Sequence, residues 1–374
     1  MNHFQSVNPA QILLLKAALF PANEALIYWE KWRSLHHLTD DKVLDNEQAL
    51  PPVFKNLDAG SYRLMPLIYR NLEQTSDLLV PHLKSIYRNT WMKNQFVLKK
   101  VREAVAALQN AGIETMLLKG LCMALIYYKD LGVRPTADGD VMVHTKDVKQ
   151  AIAVLKKQPY NYDIASFDNA MSDYIHAAHL FDQDNFDFDI HWHLLFLNRT
   201  AEADAPFWDA KNKFNFPNGL TTSVLSPTHQ VLHNLVHGNF PDVAAPIRWV
   251  ADCYVICQNH EIDWLEILKI AKEKRMLVPV LEGIALLRSE FKLILKPEVA
   301  AQINQLKPNP IEASYHDFLK KNVHKKSALK KAIKFYRKAS FEYDLYHADY
   351  LKIPYLAYLG KKMSARSYAH LTQS

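Results

Sequence analysis

The chain has 374 residues, 49% hydrophobic and 22% charged, a balance that excludes a disordered or fibrous chain and allows two or three ordinary domains. Its net charge of +6 is mild but uneven, with nine Lys or Arg and no acid between Lys320 and Lys338. Only 9 glycines, about a third of usual usage, predict few tight turns and mostly helix.

The first apolar run, residues 12–20, is short and contains Lys16, so it reads as neither a signal peptide nor a membrane span. Cys122, Cys253 and Cys257 are odd in number and scattered, which fits a reducing compartment; we expect a cytoplasmic protein. Residues 11–20, 24–35 and 85–110 space apolar residues three and four apart, as helices do, and Ala111-Gly112 closes the last of them.

From Ile113 the period changes. An apolar run over 113–118 leads into Lys119-Gly120 and a helical stretch to about Lys129. After the turn Asp130-Leu131-Gly132, a second apolar run covers 137–144, and 147–157 reads as a helix. A third strand is expected over 160–167. Residues 174–181 and 186–194 read as a hairpin joined by Asp182-Gln183-Asp184-Asn185. In its second strand Phe186, Phe188, Ile190 and Trp192 alternate with Asp187, Asp189, His191 and His193, giving one apolar and one chemical face.

After Pro217-Asn218-Gly219, helices return. Ser226-Pro227 reads as a cap followed by Pro at the first helical position. Helices are expected to about Gly238 and over 246–258, 264–274 and 279–295, with Cys253, Cys257, Trp249 and Trp264 as core residues. The predicted division is a helical region 1–110, a catalytic core 111–215, a helical domain 216–306 and a basic, Tyr-rich tail 307–374.

The chemistry centres on Asp138-Gly139-Asp140. In a strand, residues two apart share a face, and two carboxylates so close need a cation between them. A Gly before a helix lets phosphate oxygens approach the backbone, which singles out Gly120. Asp189, if its strand is a neighbour, adds a third carboxylate, and three can hold two Mg²⁺ ions about 3.5–4 Å apart. Lys119 is either a phosphate partner or an ordinary exposed lysine, and Arg134 either clamps phosphate or pairs with a structural acid. Asp187 shares strand parity with Asp189 and competes with it.

These motifs resemble the nucleotidyltransferase superfamily and, more narrowly, the bacterial family called uncharacterised nucleotidyltransferase. The matching pieces are Leu118-Lys119-Gly120, Gly132-Val133-Arg134-Pro135 running into Asp138-Gly139-Asp140, Asp189-Ile190-His191-Trp192, Leu225-Ser226-Pro227 to His237, Arg248-Trp249 with Asp252, and Ile262-Asp263-Trp264. Together they cover roughly residues 60–290. The chain departs from the pattern at Leu121, where a Ser is usual, and at Gly139, where a large aliphatic is usual.

The resemblance implies an α+β fold: a small mixed-sheet core flanked by N- and C-terminal helical regions, predominantly helical overall. It implies transfer of a nucleoside monophosphate from a triphosphate, ATP by expectation, to a hydroxyl-type acceptor. Asp138, Asp140 and Asp189 would bind two Mg²⁺ ions, Lys119, Gly120 and Arg134 the nucleotide, and His191 or Asp187 would touch substrate or orient Asp189. The acceptor is a small molecule, peptide or protein, with RNA as a variant suggested by the basic run.

Two alternatives stand beside this. One is a degenerate member that binds a nucleotide or partner without turnover. The other is a metal-dependent hydrolase built on the His and Asp strand pair, with His176, His179, His191 and His193 in it, although His176 and His179 differ in strand parity. His233 and His237, four apart on a helix, are expected to pack or cap.

Overall fold

The computed structural model describes residues 7–38, 52–157, 176–182, 184, 186–195, 201–217, 219–239, 247–322, 328–347, 355–360 and 363. The strand expected over 160–167 lies outside these residues, as do 323–327 of the basic run.

The N-terminal region is helical: α1 (Pro9–Leu19), α2 (Ala22–Leu35), α3 (Pro52–Lys55), α4 (Ala59–Tyr62), α5 (Met65–Leu72) and α6 (Val80–Asn110). α1 starts at a reciprocal cap, in which the Asn8 side chain accepts from the Gln11 N–H and the Gln11 side chain accepts from the Asn8 N–H. Beyond α6, Gly112 takes φ +77°, the left-handed turn that releases the chain into the sheet.

A mixed six-stranded sheet follows, built of β1 (Met116–Leu117), β2 (Gly139–Met142), β3 (Ala177–Phe181), β4 (Asp187–His191), β5 (Asn212–Asn215) and β6 (Thr221–Val224). The spatial order is β3-β4-β2-β1-β6-β5. β2 runs parallel to β4 and β1 parallel to β6, whereas β3–β4, β2–β1 and β6–β5 are antiparallel. The expected hairpin is β3–β4. β6 lies past residue 215, so the sheet draws in a strand from beyond the expected core.

Short helices α7 (Lys119–Cys122), α8 (Val148–Lys156) and α9 (Ala205–Asp209) interrupt the strands. The C-terminal region contains α10 (Pro227–Gly238), α11 (Arg248–Asn259), α12 (Trp264–Glu273), α13 (Leu277–Phe291), α14 (Pro297–Gln305), α15 (Pro310–Asn322) and α16 (Ala328–His347). Ser226 caps α10 and Pro227 is its first residue, as the sequence predicts. The fold is α+β, a mixed sheet between helical regions. Among the described residues no helix is long and apolar enough to cross a membrane.

Strand alternation divides the burial between two cores. Leu117, Val141, Phe188 and Ile190 face Val101 and Val105 of α6 and Ile152 of α8. Met116 and Met142 face the other way, into a core shared by N-terminal Leu14 and Trp29 and C-terminal Leu235, Val250 and Ile267. The chemical face of the sheet therefore looks toward α10 and α11.

Gly139 lies on the α6 side, where a Cβ would stand 2.5 Å from Val101 Cγ2 and 3.0 Å from Phe188 Cδ2. The missing side chain lets β2 press against the helix. Gly139→Ala should destabilise the fold by about 1–3 kcal/mol through overpacking, and adding Val101→Ala should recover part of the loss in urea titrations. A single Gly139→Ala variant as stable as the parent would show that the close approach is not limiting.

Candidate active site

The site is assembled from the ends of β1, β2 and β4. β1 passes into Leu118, whose N–H donates to the Asp140 carbonyl at 3.0 Å, fixing the turn against β2. Lys119 then takes φ +48°, a left-handed conformation rare for a residue with a side chain. At Gly120 a Cβ would sit 2.8 Å from Thr136 Oγ1, so the turn and the approach to β2 touch backbone to side chain.

Asn94 of α6, fully buried, fastens that approach. Its amide donates to the carbonyls of Leu131 and Arg134 at 2.6 and 2.8 Å, and its oxygen accepts from the Thr136 N–H at 3.0 Å.

The parallel register pairs Asp140 directly with Asp189, which places both carboxylates side by side on one face. His191, two residues on, shares that face, and its Nε2 lies 3.0 Å from Asp140 Oδ1. Lys119 Nζ lies 2.6 Å from Asp140 Oδ1 and 4.0 Å from Asp189 Oδ2. From β3, His179 Nδ1 contacts Asp189 Oδ1 at 2.5 Å. Asp138 stands in the bend before β2 and lines a cavity together with Asp140. Asp187, half-buried at the start of β4, stays out of the cluster, so the register separates the two candidates that parity leaves equal.

That cavity, about 230 Å³, is lined by Lys119, Gly120, Arg134, Asp138 and Asp140 on the sheet side, by His233, His237, Arg248 and Trp249 on the helical side, and by Arg63 of the N-terminal region. Arg134 lines the same cavity and pairs with a structural acid. Its Nε and Nη2 lie 3.1 and 2.8 Å from the Asp252 carboxylate, which also accepts from the Tyr128 hydroxyl at 3.0 Å.

Arg248 is a cation that sequence reasoning did not assign to the site. Its Nη1 donates to the Pro135 carbonyl at 3.0 Å, while its buried Nε has no hydrogen-bond partner among the described residues. Arg63 was also missed, because the motifs of the core give no signal at that position. The spacing of Arg248 and Asp252 was visible, but their meeting with Arg134 more than a hundred residues away was not.

The charges are strongly coupled. Burial pushes the Asp140 carboxyl up, but the Lys119 ammonium and the His191 hydrogen bond outweigh it and hold it below the usual range. Burial and the neighbouring Asp140 charge raise Asp138 to about 6. Burial, followed by Arg134 and Arg63, brings Arg248 down to about 9, still cationic at neutral pH. The cavity is thus lined by carboxylates and by the guanidinium groups of Arg63, Arg134 and Arg248, a set of charges suited to a phosphate chain carrying a divalent ion.

Burial and then Lys119 depress His237 to about 4. Its ordinary value is 6.5, so between these values the unfolded chain binds the proton and the folded chain does not. Stability should be full above pH 6.5 and decline as pH falls toward 4. His237→Gln should flatten that part of a pH series of thermal melts; an unchanged slope would assign the acid sensitivity elsewhere.

The four histidines of the hydrolase alternative do not converge. His179 holds Asp189, and His193 Nδ1 pairs with Asp204 Oδ2 at 2.6 Å. Among the described residues, Asp140, Asp189 and His191 are the His, Cys or acid group that converges, with one donor atom each within 4.8 Å of one another. Two carboxylates and one imidazole fit an oxygen-preferring divalent ion such as Mg²⁺ or Mn²⁺.

The family described as "Uncharacterised nucleotidyltransferase" matches residues 59–292, a span holding the whole sheet and every member of the cluster. Among solved structures, the chain is similar to an antigenic nucleotidyltransferase-like protein from Paracoccidioides brasiliensis. The identity is 15% and the TM-score 0.34, covering 53% of this chain and 93% of that one. No curated protein matches.

Proposed function

The chain belongs to the uncharacterised nucleotidyltransferase family, and on that footing we propose that it transfers a nucleoside monophosphate from a nucleoside triphosphate, ATP in the first instance, to a hydroxyl group, with release of pyrophosphate. The observation that carries this reading is the pairing of Asp140 with Asp189 across β2 and β4, with Asp140 and Asp138 lining a cavity that Lys119, Arg63 and Arg248 also line.

Asp138, Asp140 and Asp189 would hold Mg²⁺, which supplies Lewis acidity and a lowered pKa for the attacking hydroxyl. Gly120 lines the cavity beside Asp138 and Asp140, and Lys119, Arg248 and Arg63 offset the charge of the β- and γ-phosphates. Asp189, on the strand farther from the turn, faces the acceptor. The acceptor oxygen bonds to the α-phosphorus as the bond to the departing pyrophosphate breaks, and the acceptor proton passes toward the carboxylates. Arg134, paired with Asp252, holds the loop before Asp138 and lines the same cavity. The acceptor is a small molecule, peptide or protein.

One observation favours the alternative of nucleotide binding without turnover: Leu121, standing where the family pattern has Ser, is buried in the core and offers no hydroxyl to a phosphate. Pyrophosphate release from ATP with Mg²⁺ and a cell extract as acceptor source separates the two. Turnover should appear in the parent and be abolished by Asp138→Ala. Calorimetric ATP binding with no product over hours would leave the binding-only reading in place, and equal release by parent and variant would remove Asp138 from the chemistry.

A further inference from the structure

We propose that Lys119 is a built-in cation that competes with a divalent ion for the gap between Asp140 and Asp189, and that His191 supplies a nitrogen ligand to the ion that displaces it. The inference rests on the nucleotidyltransferase reading in one respect, the choice of a divalent ion as the occupant.

The geometry is specific. Lys119 Nζ lies 2.6 and 4.0 Å from Asp140 Oδ1 and Asp189 Oδ2, and His191 Nε2 lies 3.0 and 4.0 Å from the same two oxygens. An ion bridging those oxygens within reach of the imidazole would stand where the ammonium stands. Asp140 is 1% exposed and Asp189 8%, so little water screens the two cations from each other, and one excludes the other.

Lys119 is aimed at this gap by its own backbone, held at φ +48°. It also lines the cavity that contains Gly120 and Arg248, so the ammonium has a second destination when a triphosphate enters. Lys119 then moves from carboxylate to phosphate, and the ion binds more tightly with the nucleotide present than without it.

The test is Mn²⁺ titration of the full chain without nucleotide, followed by electron paramagnetic resonance. Lys119→Met should bind Mn²⁺ at least about tenfold more tightly than the parent, because a like charge leaves the gap. Lys119→Gln, which keeps a polar end near Asp140, should do the same and serves if the Met variant does not fold. At saturating Mn²⁺ the parent should show nitrogen coupling from a bound imidazole, lost in His191→Gln.

Lysine variants that bind Mn²⁺ no more tightly, or a parent without nitrogen coupling, would overturn the proposal. These readouts are independent of turnover. Tightened Mn²⁺ binding in a protein with no transfer activity would sink the reaction and keep the Lys119 assignment. Transfer activity with unchanged Mn²⁺ affinity would do the reverse.

Discussion

Asp140→Asn is expected to lower pyrophosphate release by roughly a thousandfold, since a metal-held charge at the reacting phosphate contributes several kcal/mol to the barrier. Asp140 is the carboxylate on which the cluster converges: the Lys119 ammonium and the His191 imidazole meet the same oxygen, and Asp189 lies beside it in register. Asparagine preserves the volume and one acceptor oxygen but removes the charge, leaving a largely buried ammonium without its closest counter-ion. A stability loss should therefore accompany the activity loss, about 3 kcal/mol as for other broken buried pairs. Asp187→Asn, on the same strand face but outside the cluster, is the control and should stay within about threefold of the parent. Equal effects at 140 and 187 would mean that the register does not select the reactive acid.

The second large effect is expected at Asp252, which no phosphate need touch. Its carboxylate takes the fork of Arg134 and the Tyr128 hydroxyl. Arg134 and Arg248 both donate to the Pro135 carbonyl, three residues before Asp138. Asp252→Ala leaves these arginines close together without that acid, and should cost about 3–5 kcal/mol. In thermal melts this amounts to a fall of roughly 10 °C. Pairing Arg134→Met with Asp252→Leu should restore most of the stability, because both charges then leave together. A melting temperature for Asp252→Ala within about 2 °C of the parent would contradict the role given to the pair.

The contrast between these residues explains what the chain discloses before folding. Alternation along residues 186–194 is a local property, and it put Asp187, Asp189 and His191 on one face. Which of the two acids meets Asp140 depends on the parallel register of β4 against β2, a non-local fact that no spacing encodes. The acid partner of Arg134 is Asp252, reached only when α11 folds back over the loop. Gly139 stood out in the sequence only as a departure from the family pattern; the α6 side chain pressing on it gives it a packing reason. His233 and His237 showed helical spacing, but spacing alone does not say that their face would be the wall of a cavity. Likewise β6 carries too short an apolar run to announce itself, and it is recruited by pairing with β1.

The central claim is transfer at the α-phosphorus, and the fate of two labels tests it most directly. Parallel incubations with ATP labelled at the α- or the γ-phosphate, Mg²⁺ and cell extract should place the α-label on an acceptor and release the γ-label as pyrophosphate, with both events lost in Asp138→Ala. Transfer of the γ-label to an acceptor, or release of inorganic phosphate alone, would contradict it.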